Sequence, residues 1–115
     1  MATVAYTITH HGSGCFLVRW PGMLNGDDGE PVKLAGASDR SVQVEGVFSG
    51  ASVTVQGSLD SANFETLTDP QGNGLVFTAA KIEAITEATV LARPVVAGGD
   101  GSTAVDVAML LRSGK

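Results

Sequence analysis

Short runs in which apolar and polar residues alternate, cut by glycine every few residues, constrain the fold of this chain more than any other feature. In Ser41-Val42-Gln43-Val44-Glu45, and again in Ser52-Val53-Thr54-Val55-Gln56, a valine stands at every second position. Only an extended strand puts Val42 and Val44 on one face with Gln43 and Glu45 on the other. The 15 glycines fall mostly between such runs. There they serve turns that need positive φ, whereas in a helix each costs about 1 kcal/mol relative to alanine. Short strands with turn signals between them indicate a sandwich or a barrel.

Val4–Ile8 reads as the first strand. Cys15–Trp20 is nearly all apolar, as in a strand with both faces at least partly covered, and Pro21-Gly22 is expected to end it. Residues 21–31 read as a long loop, Pro31–Leu34 as a short edge strand and Gly36–Asp39 as a turn. The two alternating runs flank Ser49-Gly50 and predict an antiparallel hairpin, with Gly46 as a bulge. Leu59–Asn63 and Asp69–Gly74 read as turns. Phe64–Leu67 and Leu75–Thr78 read as strands, with Phe64 and Leu67 buried. Residues 79–89 fit either one helical turn or an extended crossover. Thr89–Arg93 reads as a strand bounded by Pro94, which Val95 and Val96 can continue. Thr103–Leu111 reads as the last strand, and the tail from Arg112 is expected to fray. About eight strands of five or six residues predict an all-β, antiparallel two-sheet β-sandwich. Residues 15–112 form its single domain, with an N-terminal arm and first strand over 1–14.

Composition supports a globular chain. Of 115 residues, 43% are apolar and 17% charged, unlike a disordered polymer. A chain this long buries roughly 65% of its surface on folding, enough for one core. No apolar run is long enough for a transmembrane helix, and Met1–Tyr6 has neither the basic nor the long apolar segment of a secretory signal. The net charge is −5. Arg19, Lys33, Arg40, Lys81, Arg93, Arg112 and Lys115 are scattered along the sequence, so neither nucleic acid nor a membrane is expected as partner. The single Cys15 excludes an internal disulfide and a cysteine-based zinc cluster, and fits synthesis in a reducing cytosol.

The sequence offers little catalytic chemistry. Neighbouring His10 and His11 point to opposite faces of a strand, so with Cys15 they make a poor metal site. Asp27-Asp28-Gly29-Glu30 and Asp100-Gly101 are fragments of calcium loops without an alternating oxygen set, and read as solvated turns, with a weak surface calcium site as the alternative. Asp60 with Glu65, or Glu83 with Glu87, would need a cleft to act as a carboxylate pair. Gly12-Ser13-Gly14 is too short for a nucleophile elbow. Cys15 lies in an apolar run and reads as an inert thiol. No lysine or helix follows Gly98-Gly99-Asp100-Gly101-Ser102, as a phosphate cradle requires. The expectation is a protein that is not an enzyme, with no cofactor and no bound metal.

One segment bears on partners. Trp20-Pro21-Gly22-Met23-Leu24 sets the only tryptophan beside a methionine and a leucine. Trp20, Met23 and Leu24 either plug one end of the core or form an apolar patch for a partner, where such residues are enriched.

The stretches Val47-Phe48-Ser49-Gly50-Ala51-Ser52-Val53-Thr54-Val55-Gln56-Gly57-Ser58-Leu59-Asp60, Asn63–Asn73 and Arg93–Ser102 resemble small virion structural proteins of tailed bacteriophages, of the head decoration or cement type. The resemblance spans about residues 42–111 and implies a jelly-roll-like sandwich on the capsid exterior of a virion, made in the host cytoplasm. It implies the major capsid protein as partner and a homo-oligomer, a trimer by preference. It brings no catalytic residues. A carbohydrate-binding or host-recognition module of a phage tail or fibre is the alternative on the same scaffold. That alternative asks for exposed aromatics, whereas alternation places Phe48, Phe64 and Phe77 inside.

Overall fold

The computed structural model describes residues 2–12, 14–33 and 37–113. Among them, twelve strands form the two sheets of a β-sandwich. The five-stranded sheet runs in the order β10 (Lys81–Ala84), β6 (Ala37–Val47), β12 (Ala104–Ser113), β3 (Cys15–Leu24), β2 (Thr7–His10). The other runs β1 (Thr3–Val4), β4 (Asp28–Gly29), β11 (Leu91–Ala97), β7 (Ser52–Ser58), β8 (Glu65–Thr66). In it β5 (Val32–Lys33) also pairs with β11, and β9 (Val76–Phe77) with β7. The strands beyond the expected eight or so are mostly two-residue pieces at its margins.

The alternation holds. Val42, Val44, Val53, Val55, Val105, Val107 and Met109 are fully buried between the sheets. Each such side chain contributes about 1.5–3 kcal/mol by leaving water. The hairpin expectation does not hold. Ala51 N–H donates to Phe48 O at 2.9 Å, with Ser49 and Gly50 at φ of 48° and 85°, as in a type I′ turn. Yet β6 pairs with β10 and β12, and β7 with β11, β8 and β9. Both edges of β6 are occupied, so the turn carries the chain from one sheet to the other, and the two valine faces share one core.

Other expectations are corrected. The first strand splits: Thr3–Val4 pairs in one sheet and Thr7–His10 in the other. Strand β3 does not stop at Pro21. Val107 pairs with Trp20 and Val105 with Met23, so Pro21 and Gly22 together oppose Asp106 as a bulge. Gly22 has φ +63°, and its N–H donates to Asp106 Oδ1 at 2.8 Å. The long loop thereby shrinks to a turn around Asn25-Gly26. Gly46 is not a bulge: it pairs in register with Val105. Ala37–Asp39 belongs to β6 rather than to a turn; Leu34 and Gly36 lie outside the described residues, as do Gly114 and Lys115. Residues 81–84 are a strand against β6, not a helical turn. Phe64 is half-buried under Arg93, whose guanidinium carbon lies 4.1 Å from the ring centroid.

Strand β11 runs through Pro94. The N–H and C=O of Val96 bond towards Asp27 and Gly26, each at 2.9 Å, so the nitrogen of Pro94 points the same way. It meets the interval between β4 and β5, where no ladder donor is required.

Candidate interaction surface

The proposed patch of Trp20, Met23 and Leu24 is not assembled at the surface. Trp20 and Met23 are 0% exposed. The Trp20 indole N–H donates to Glu30 O at 2.9 Å, and its ring meets Tyr6 edge-on at 6.1 Å. The core-plug alternative describes both, and the bulge at Pro21-Gly22 is what turns Met23 inward. Leu24, at 55% exposure, faces outward on β3.

The acidic turns are occupied by local hydrogen bonds. Asp27 accepts from Ala2 N at 3.1 Å and from Leu24 N at 2.8 Å. Asp100 accepts from Ser49 Oγ at 2.7 Å and Ser102 N at 2.8 Å; these bonds hold its carboxyl below the ordinary aspartate range. Asp60 accepts from Asn63 N at 2.8 Å, Ala62 N at 2.9 Å and Ser58 Oγ at 3.0 Å. The Asn63 N–H is the strongest of the influences that pull its pKa well down. Glu83 pairs with Lys81 at 2.9 Å, while Glu87 accepts from Thr68 N at 2.7 Å and from the Thr68 hydroxyl. His10 stacks edge-on against Phe16 at 4.8 Å. Among the described residues no three His, Cys, Asp or Glu side chains converge as metal ligands.

What sequence reasoning missed is the outer face of the five-stranded sheet. The register sorts its outward side chains into rows across the strands. Ala84, Ser41, Leu110, Leu17 and Thr9 form one row; Ile82, Gln43, Ala108, Arg19 and Thr7 form the next. Glu45 and Asp106 form a third beside the bulge, and Val47, Ala104 and Leu24 a fourth. Ile82, Val47, Leu24 and Leu110 are 62%, 56%, 55% and 38% exposed, so four of the largest exposed apolar side chains share this face. A shallow groove of about 460 Å³ runs between Ile82, Leu17 and Leu110. A second, of about 250 Å³, has Arg19 on one wall and Glu45 and Asp106 on the other. Apolar, basic, acidic and apolar rows thus follow one another along the strands.

The sequence carried a signal for this face. Cys15-Phe16-Leu17-Val18 and Ala108-Met109-Leu110-Leu111 are apolar at successive positions, the pattern of strands covered on both sides. In the single chain only the inner side is covered.

At the edge of the same sheet, β2 is exposed at all four positions. Thr7-Ile8-Thr9-His10 has strong β-propensity and neither the proline nor the lysine with which natural edges are blunted. The opposite edge, β10, carries Lys81 and Glu83.

No family model and no curated protein matches the sequence. Among solved structures, the SPBc2 prophage-derived protein YomS superposes with a TM-score of 0.66 over 91% of this chain and 100% of that chain, at 9% identity. Peruvianin-I, a cysteine peptidase from Thevetia peruviana latex, gives 0.46 over 87% of this chain and 51% of its own, at 14% identity. KdgF from Halomonas sp. gives 0.43 over 93% and 76%, at 12% identity. The likeness to YomS is one of fold; the other two are too distant to carry an argument.

Proposed function

We propose that this chain is a structural protein of a tailed-phage virion, and within the virion a head decoration protein that binds the major capsid protein shell from outside. The observation that carries the reading is the fold shared, over the whole of that chain, with a prophage-derived protein; the residue resemblance of segments 47–60, 63–73 and 93–102 points the same way. The physical character of the molecule suits the role. Three of its turns are tied down by side-chain hydrogen bonds, those of Asp60, of Asp100 and of Asp69, which accepts from Gln71 N and Asn73 N at 3.0 Å each, so these described turns offer little to proteases. The open edge of β2 is the surface this reading gives to the shell, because main-chain pairing along an uncovered strand is a general mode of attachment. Many weak contacts repeated over a lattice then add up through avidity. The protein acts by adding contact area between capsid subunits, not by turnover.

The carbohydrate-binding alternative is the weaker reading. The one Trp, one Tyr and four Phe are all buried or half-buried, so no ring lies open for stacking on a sugar.

The test compares virions with and without the protein during heating and chelation of divalent ions. Decorated particles are expected to retain their DNA to higher temperature, and Ile8→Asp is expected to weaken attachment of the folded protein. Identical release curves would overturn the clamping role.

A further inference from the structure

We propose that the outer face of the five-stranded sheet is a homodimer interface, formed with a second copy of this chain about a two-fold axis. The features that select this pairing lie within the face itself, wherever in a virion the protein sits. The rows run, along the strands, from the apolar Leu110 row through the Arg19 row and the Asp106 row to the apolar row of Val47, Ala104 and Leu24. A two-fold axis in the plane of the face, directed across the strands between the second and third rows, makes this order self-complementary. It lays the Leu110 row on the Ala104 row at both ends and sets Arg19 over the acidic row of the second copy. Arg19 then stands one strand, about 4.8 Å sideways, from Asp106 of the second copy, within reach of its side chain.

The other simple pairing, about an axis parallel to the strands, stacks Asp106 on itself and Glu45 near its own acidic row. Like charges placed so are repulsive, and the charge pattern therefore selects the axis. Isologous pairing of one patch with itself is also the commonest symmetry of soluble oligomers.

Only β6, β12 and β3 run through all four rows, so the overlap covers roughly 400 Å² of each copy. Two copies bury roughly 800 Å², the size of weak and transient contacts, which fits a reversible dimer that forms only at high concentration. The axis keeps both β2 edges on the same side of the pair.

The test is sedimentation velocity on the full chain from roughly 1 to 200 µM. Wild type is expected to pass from monomer to dimer. Leu110→Asp, at an exposed position, is expected to weaken the dimer roughly a hundredfold, about tenfold for each of its two symmetry-related copies. Leu24→Lys is expected to do the same. Because the Leu110 row lies against the Leu24 row of the other copy, an equimolar mixture of the two variants is expected to dimerise although neither does alone. Circular dichroism confirms that both variants are folded; should Leu110→Asp not fold, Leu110→Ser with Leu24→Lys replaces it. A wild type that stays monomeric throughout, a trimer, or a mixture that fails to associate would overturn the proposal.

Discussion

Arg40 on β6 reaches across the sandwich to Thr89, donating from Nη2 to its carbonyl oxygen at 2.9 Å. From Nη1 it donates also to Glu87 O at 2.8 Å. One guanidinium thus ties the five-stranded sheet to the crossover that feeds β11, and it does so almost completely buried, at 6% exposure. Arg40→Met keeps the aliphatic stem but leaves these carbonyls without their charged donor. It is expected to cost about 2–4 kcal/mol, read from urea midpoints at constant slope. A change below about 0.5 kcal/mol would show that the clamp does not hold the crossover.

Trp20→Ala tests the assignment of this ring to the core. Removing a fully enclosed indole is expected to destabilise by about 3–5 kcal/mol and to abolish the cooperative melt if total stability is no greater than that. A folded variant of wild-type stability would place Trp20 outside the core.

Gly46 pairs with Val105 at φ +121°, and a Cβ built there falls 2.5 Å from Ala104 O. Gly46→Ala must shift one of the two central strands. It is expected to cost about 2 kcal/mol or more through backbone strain and overpacking, whereas Gly101→Ala, in open space, should be close to neutral. Equal stability of the two variants would contradict the close approach.

The two faces of β7 are expected to respond oppositely. Val55 is 0% exposed, so Val55→Asp buries an unpaired carboxylate and should unfold the domain. Gln56 lies outward, accepting from Arg93 Nε at 3.1 Å, and Gln56→Asp should retain a partner there. Thermal melts of the pair distinguish them at once.

Asp60 has a folded pKa depressed chiefly by the Asn63 backbone N–H. A depressed carboxylate stabilises the fold above its unfolded pKa of about 3.9, and that contribution disappears as pH falls through the folded value. The gap in melting temperature between wild type and Asp60→Ala is therefore expected to be constant from pH 7 to about 5 and to shrink below about 4. A gap that widens in acid would reverse the sign of this linkage.

The inward residues were legible in the sequence because the strand period is two and the valines keep to it. The partnership of the strands was not. A turn such as Phe48–Ala51 has the same local chemistry whether it closes a hairpin or crosses between sheets, and the choice is made by β10 and β12, which lie far away in sequence. The continuation of β3 past Pro21 was hidden for a similar reason: the bulge that accommodates it depends on Asp106 accepting from Gly22. Met23 thereby turns inward, and a patch that looked contiguous in sequence divides between core and surface. The outer face of the five-stranded sheet was half legible. The apolar succession in Cys15–Val18 shows a need for cover on both sides, but the row order that sets Arg19 next to the row of Asp106 exists only once β3, β12 and β6 are set side by side.

The most direct test of the decoration role is cryo-electron microscopy of purified virions, combined with counting of copies per particle. The account predicts density of this sandwich repeated over the outside of the head at equivalent positions of the capsid lattice. A particle that lacks the protein, or carries it only on the tail, would contradict it.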